Sequence, residues 1–290
     1  MSANLINYSF LIFMVSSFTY AFNNFAKAKR LKHVLGYVGS LSLLAGVIVM
    51  TAAILLRWQQ ADRPPFSNMY ESLILFAWAI ALIYLVLELV YGLRIAGVFA
   101  AILAVITIAA ASFFDDSIEP LVPALQSNWL LYHVLTCFVG YAAFAVSAAA
   151  SIVYLILKAR GRVPEAGEPA PAAGETDSVR TPGELIRTME SFNYEAVRFG
   201  FLFLGVGIIT GAVWANEAWG TYWSWDPKET WSLITWIIYA IMIHFKYVSG
   251  KFGIKDINTF NAVCSIIGFL AVIFTYFGVN FLISGLHSYA

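Results

Sequence analysis

The densest chemical signal in the sequence is the stretch WANEAWGTYWSWDPKETW, residues 214–231. It holds five of the nine tryptophans: Trp214, Trp219, Trp223, Trp225 and Trp231. An interfacial aromatic belt would spread its indoles over many helix ends, whereas this is one segment. Indoles offer flat apolar faces with one N–H donor each, and Gly220 lets the backbone turn tightly between them. Such a surface suits a large planar aromatic ligand at a membrane–water boundary. Two of the four histidines, His133 and His287, fall on the same side of the topology derived below. Each alone also reads as an interfacial anchor. Two imidazoles beside a planar aromatic shelf are what holds a haem iron by both axial positions.

The remaining polar groups divide into caps and candidates. In Asp226-Pro227-Lys228-Glu229 the aspartate reads first as a helix N-cap, with proline at N1 and glutamate at N3 of a capping box. Asn68 and Glu71 repeat that pattern in PPFSNMYES. His244 lies 18 residues after Asp226, about 27 Å along a helix. It has two readings of equal weight: a ligand within the membrane, or an interfacial histidine beside Lys246. His33, in KAKRLKH, reads as solvated charge. Cys137 and Cys264 stand alone in apolar runs without a CxxC and read as small buried hydrophobes.

Those residues need elements to position them, and composition names the elements. Of 290 residues, 60% are hydrophobic and 12% charged, half the charge of a soluble domain. With a mean hydropathy of +0.76, this excludes a cytosolic enzyme, a disordered scaffold and a secreted disulfide scaffold. Apolar runs near 4–26, 34–57, 69–91, 94–114, 128–157, 196–217, 228–248 and 259–286 predict an all-α polytopic bundle of about eight transmembrane helices. No N-terminal signal peptide is expected, because the basic cluster follows the first apolar run instead of preceding it. Fourteen of the 17 basic residues fall in alternate loops, which the positive-inside rule makes cytoplasmic. Both termini and the tryptophan loop then face outward. The chain divides into 1–160 (helices one to five, with His133), a Pro-rich cytoplasmic linker at 161–190, and 191–290 (helices six to eight with the tryptophan loop). A short interfacial helix over 183–193 is expected. There is no Walker motif and no basic nucleic-acid patch, so neither nucleotide-driven transport nor nucleic-acid binding is expected.

With these residues in view, WGTYWSWDPKETW resembles the tryptophan-rich WWD motif of haem-handling membrane proteins in cytochrome c maturation. The continuation SWDPKETWSLITW is similar to the CcsA/ResC family of the System II pathway. The likeness extends through PPFSNMYESL, NWLLYHV and FGVNFLISGLHSYA. It implies that His133 and His287 are the axial ligands of a non-covalently held b-type haem at the outer face, beside Trp219, Trp223, Trp225 and Asp226. It implies that His244 ligates an internal haem on its way outward. The second ligand of that internal site belongs, in this family, to a CcsB/ResB-like membrane subunit, and nothing in this chain matches it.

The resemblance further implies a bacterial cytoplasmic membrane, or a thylakoid membrane in a plastid-type chain. The expected partners are the CcsB/ResB-like subunit and an apocytochrome c with a CxxCH site; thiol-reducing proteins act indirectly. The chain itself offers no acid, base or nucleophile, so its part in a haem-attachment complex is positioning. Haem transport without attachment and a membrane b-type electron carrier are the alternatives. The carrier needs two histidine pairs within one chain, and only three histidines lie in or at the ends of spans.

Overall fold

In the computed structural model, residues 2–160, 182–248, 256–283 and 285–286 are described. The helices are α1 (Ser2–Phe25), α2 (Lys29–Ala61), α3 (Met69–Tyr91), α4 (Gly97–Ala111), α5 (Asn128–Ala159), α6 (Pro182–Trp219), α7 (Pro227–Val248) and α8 (Ile257–Ile273). α8 continues through a π-helical turn, Phe274–Gly278, into α9 (Val279–Leu282). Eight helical stretches are long and apolar enough to cross a membrane, and among the described residues there are no strands. The protein is therefore the all-α, eight-span bundle expected. Large apolar side chains such as Leu11, Ile48, Leu89, Ile106 and Ile209 point outward, as helices bathed in hydrocarbon require.

Helix starts at both ends of the bundle are fixed by side-chain caps. Asn68 accepts the Glu71 N–H at 2.8 Å to start α3, Ser127 accepts the Trp129 N–H at 3.1 Å to start α5, and Asp256 accepts the Thr259 N–H at 3.0 Å to start α8. α3 ends on Gly92, whose φ of 65° favours a residue without Cβ. α5 and α6 are the most closely packed helices. A Cβ on Gly140 would sit 3.0 Å from the Gly200 carbonyl oxygen, so small residues set that approach. The helix expected over 183–193 is not separate: α6 runs unbroken from 182, burying Ile186, Met189 and Phe192 as it goes. Residues 161–181 of the expected linker lie outside the described residues.

Two buried carboxylates tie the ends of the bundle. At the end away from the tryptophans, Glu88 accepts from Tyr20 Oη at 2.6 Å, from Ser40 Oγ, and from Arg94 Nε at 3.4 Å. At the tryptophan end, Glu71 accepts from Arg57 Nε and Arg63 Nη1, each at 2.9 Å. The same guanidinium groups donate onward to the carbonyls of Asp116 at 2.8 Å and Glu119 at 3.1 Å. One fully buried glutamate thus pins the loop between α4 and α5, which roofs the site.

Candidate functional site

His133 sits one turn and a half into α5 and faces α6. Its Nδ1 lies 2.8 Å from the Gly207 carbonyl oxygen. A carbonyl only accepts, so Nδ1 carries the proton and the ring's lone pair is on Nε2, the tautomer that suits a metal ligand. Glycine makes this contact possible twice over. A Cβ at 211 would meet His133 Nδ1 at 2.5 Å, and one at 207 would meet Cys137 Sγ at 2.5 Å. The imidazole lies nearly parallel to the Trp214 indole, with centroids 5.9 Å apart and planes at 16°. Trp214 is itself locked: it is 2% exposed and donates Nε1–H to the Ala124 carbonyl at 2.8 Å. Trp219 packs edge-on behind it at 4.8 Å.

The loop joining α6 to α7 reverses on two residues with positive φ, Gly220 at 78° and Trp225 at 60°. For a bulky residue such as Trp225 that conformation is strained, and the cap that follows holds it. Glu229 Oε2 accepts the N–H groups of Ser224 at 2.8 Å and Asp226 at 3.1 Å. Asp226 returns the favour to the helix, its Oδ2 accepting the Lys228 N–H at 3.1 Å. Its other oxygen, Oδ1, accepts the Leu286 N–H at 2.6 Å. The buried aspartate therefore caps α7 and also clasps the chain after α9, one residue before His287. Spacing alone indicated the cap; the clasp has no signature in the sequence.

Beneath this loop opens a cavity of about 1190 Å³ including its mouth, lined by Trp214, Tyr222, Trp223, Phe138, Tyr141 and Tyr276 among other side chains. His133, Cys137, Lys228 and Asn280 are on its wall. Its make-up, apolar and aromatic with few polar groups, is that of pockets that take cofactor-sized ligands. The residues fit a haem: flat indoles, one imidazole of the right tautomer, and ample aromatic lining. Among the described residues no three of His, Cys, Asp and Glu gather to hold a bare metal ion.

The structure brings His133, Trp223 and Asp226 to this end of the bundle, with Trp219 one layer behind. Trp225 stands on the outside of the loop, 68% exposed, at right angles to Trp223 and 5.7 Å from it. His287 lies outside the described residues. His244 is not near the cavity: it is exposed on the far part of α7, its Nδ1 donating to the Ala240 carbonyl at 2.7 Å. Sequence reasoning passed over Trp214 as a site residue and counted Lys228 only as loop charge. The helical spacing of 207, 211 and 214 on one face of α6 was the signal for the first. Nothing in the local sequence marked the second.

Residues 66–287 match the family model described as cytochrome C assembly protein. The chain is 37% identical to the cytochrome c biogenesis protein CcsA of Chlamydomonas reinhardtii, over 83% of this chain and 65% of that protein. It is 35% identical to the CcsA of Gloeobacter violaceus, over 98% and 95% of the two lengths. Among solved structures it resembles the cytochrome c haem lyase CcmF with a TM-score of 0.63 at 16% identity, covering 96% of this chain and 46% of that one. That last likeness speaks to the fold.

Proposed function

Because this chain belongs to the cytochrome c assembly family, and within it to the CcsA proteins, we propose that it serves cytochrome c maturation by holding haem at the tryptophan end for attachment to apocytochrome c. The observation that carries this reading is His133: an imidazole on the wall of an aromatic cavity, with Nδ1–H committed to the Gly207 carbonyl. Haem is the substrate. His133 ligates its iron on one side and His287 on the other, with Trp223 and Trp214 against the ring. Asp226 supports the reading from behind, because its bond to Leu286 ties the segment leading to His287 to the tryptophan loop.

Attachment joins each CxxCH thiol to a haem vinyl group: sulfur bonds to the vinyl carbon nearer the ring and the thiol proton ends on the terminal carbon. The apocytochrome's own histidine displaces one of the two imidazoles. This chain supplies orientation, and well-oriented reactants gain up to ~7–11 kcal/mol over free encounter. The charge pattern of the loops supports an outward-facing cavity, in a bacterial cytoplasmic or a thylakoid membrane. His244, exposed on α7, suits an internal haem shared with a CcsB/ResB-like subunit, since a ligand on an outer helix face needs a second chain to complete its site.

The test is cytochrome c assembly in cells carrying His133→Ala or His287→Ala. Each single substitution should stop covalent attachment, and imidazole in the medium should partly restore it, because the missing group is a neutral nitrogen ligand. Full assembly by the double alanine variant without imidazole would overturn the proposal.

A further inference from the structure

Lys228 occupies a position that folding alone does not favour. It lies in the first turn of α7, where the helix dipole disfavours a cation. Its side chain is half-buried on the wall of the cavity, and drawing a charge away from water is costly unless it is paired. Yet its Nζ donates to a neutral group, the Asn280 Oδ1 at 2.8 Å. The two nearest carboxylates in sequence hold backbone groups, and Asp226 steadies the ammonium only through space, without contact. Asp226 accepts the backbone N–H groups of Lys228 and Leu286, and Glu229 accepts those of Ser224 and Asp226. Among the described residues, no carboxylate lies within ion-pair distance of the Lys228 ammonium. Asn280 does not compensate the charge; it aims it, while its own Nδ2 rests on Met69 Sδ at 3.4 Å. A methionine here would fill the same volume at lower electrostatic cost.

We infer that Lys228 is the anion anchor of the cavity, pairing with a carboxylate of an otherwise flat, apolar ligand. The inference rests on the haem reading of the same cavity, and the carboxylate is then a haem propionate. Two axial imidazoles leave the ring free to turn about the iron axis. A carboxylate held at the Lys228–Asn280 corner removes that freedom. Propionates and vinyl groups occupy different edges of the ring, so fixing the first also fixes where the vinyl pair faces. Lys228 is thus a positioning residue that presents the vinyl groups to the CxxCH thiols in one orientation.

The full chain in lipid nanodiscs is titrated with iron protoporphyrin IX and, separately, with its dimethyl ester, and binding is followed by absorption. The parent should prefer the free acid by at least ~10-fold, the worth of a charge-assisted hydrogen bond. Lys228→Met should abolish that preference by weakening the acid alone, with ester binding unchanged. Lys228→Arg should retain it. Comparing variants by the ratio of the two ligands cancels the ester's greater partition into lipid. Should the Met variant fail to accumulate, Lys228→Gln gives the same reading. A parent-like acid preference in the Met or Gln variant would overturn the anchor. Equal binding of acid and ester by the parent would overturn it too, yet leave the haem reading standing. A parent that binds neither would remove the haem reading, and the anchor with it.

Discussion

A single methyl group at position 211 should separate the orientation of His133 from its presence. In Gly211→Ala the new Cβ would fall 2.5 Å from His133 Nδ1 and 2.7 Å from Cε1. Non-bonded heavy atoms settle near 3.5–4.0 Å, so the ring must move by roughly 1 Å. Parting α5 and α6 would undo their backbone-to-backbone packing at Gly140 and Gly200, whereas the imidazole can turn about its own side-chain bonds. The movement therefore falls on the imidazole and breaks its 2.8 Å bond to the Gly207 carbonyl. Overpacking of this kind costs about 1–3 kcal/mol, which a bundle of eight spans survives. A ligand misplaced by about 1 Å costs up to ~100-fold in a positioned reaction. Gly211→Ala should accordingly accumulate in membranes while covalent haem attachment to cytochrome c falls ~10- to 100-fold, read by haem staining of the cytochrome. Gly205→Ala is the control on the same helix: its Cβ meets Trp236 Nε1 at 3.2 Å and the rest of that ring no nearer than 4.0 Å, and attachment should stay near the parent's. Parent-level attachment by Gly211→Ala would refute the claim that α6 sets the ligand's geometry.

Three further outcomes follow from the same contacts. Glu71→Gln leaves Arg57 and Arg63 buried without their carboxylate, so thermal unfolding in detergent should show a loss of ~3–5 kcal/mol; parent-like stability would mean that the loop between α4 and α5 is held by other contacts. Asp226→Asn keeps one of two acceptor oxygens and should lose about 1.5–3 kcal/mol of local stability, with Asp226→Ala worse; hydrogen exchange at Leu286 and in the first turn of α7 reads this, and parent-like protection in the Asn variant would contradict it. His244→Ala, purified with the proposed CcsB-like subunit, should carry less haem per protein while the spectrum of the haem that remains is unchanged; equal haem makes His244 an interfacial anchor.

The spans were legible because hydrocarbon demands long apolar runs, and every one of the eight was present in the residue pattern. Their ends were less so. α2 begins at 29 and α6 at 182, before the apolar windows open, because a helix emerging into water needs no apolar residues to continue. In α6 the extension is held by Ile186, Met189 and Phe192, spaced to bury one face, a short amphipathic signal that spacing alone assigned to a separate helix. At the site, residue types and spacing identified His133, the tryptophan cluster and the capping role of Asp226. They did not say which indoles turn inward. For the loop that depends on the positive φ of Gly220 and Trp225, which sends Trp225 outward and leaves Trp223 on the cavity wall; Trp214 is placed by its face of α6. The bonds from Leu286 to Asp226 and from Lys228 to Asn280 join residues 60 and 52 positions apart, contacts that only the closed bundle creates.

The most direct test of the central claim is the absorption and electron paramagnetic resonance spectrum of the chain purified with the CcsB-like subunit proposed above. Imidazole ligation on both faces of the iron gives a six-coordinate, low-spin b-type haem. The parent should show that species, His133→Ala should lose it from the cavity, and free imidazole should restore it. A His133→Ala protein with the parent's haem content and an unchanged low-spin spectrum would contradict the claim.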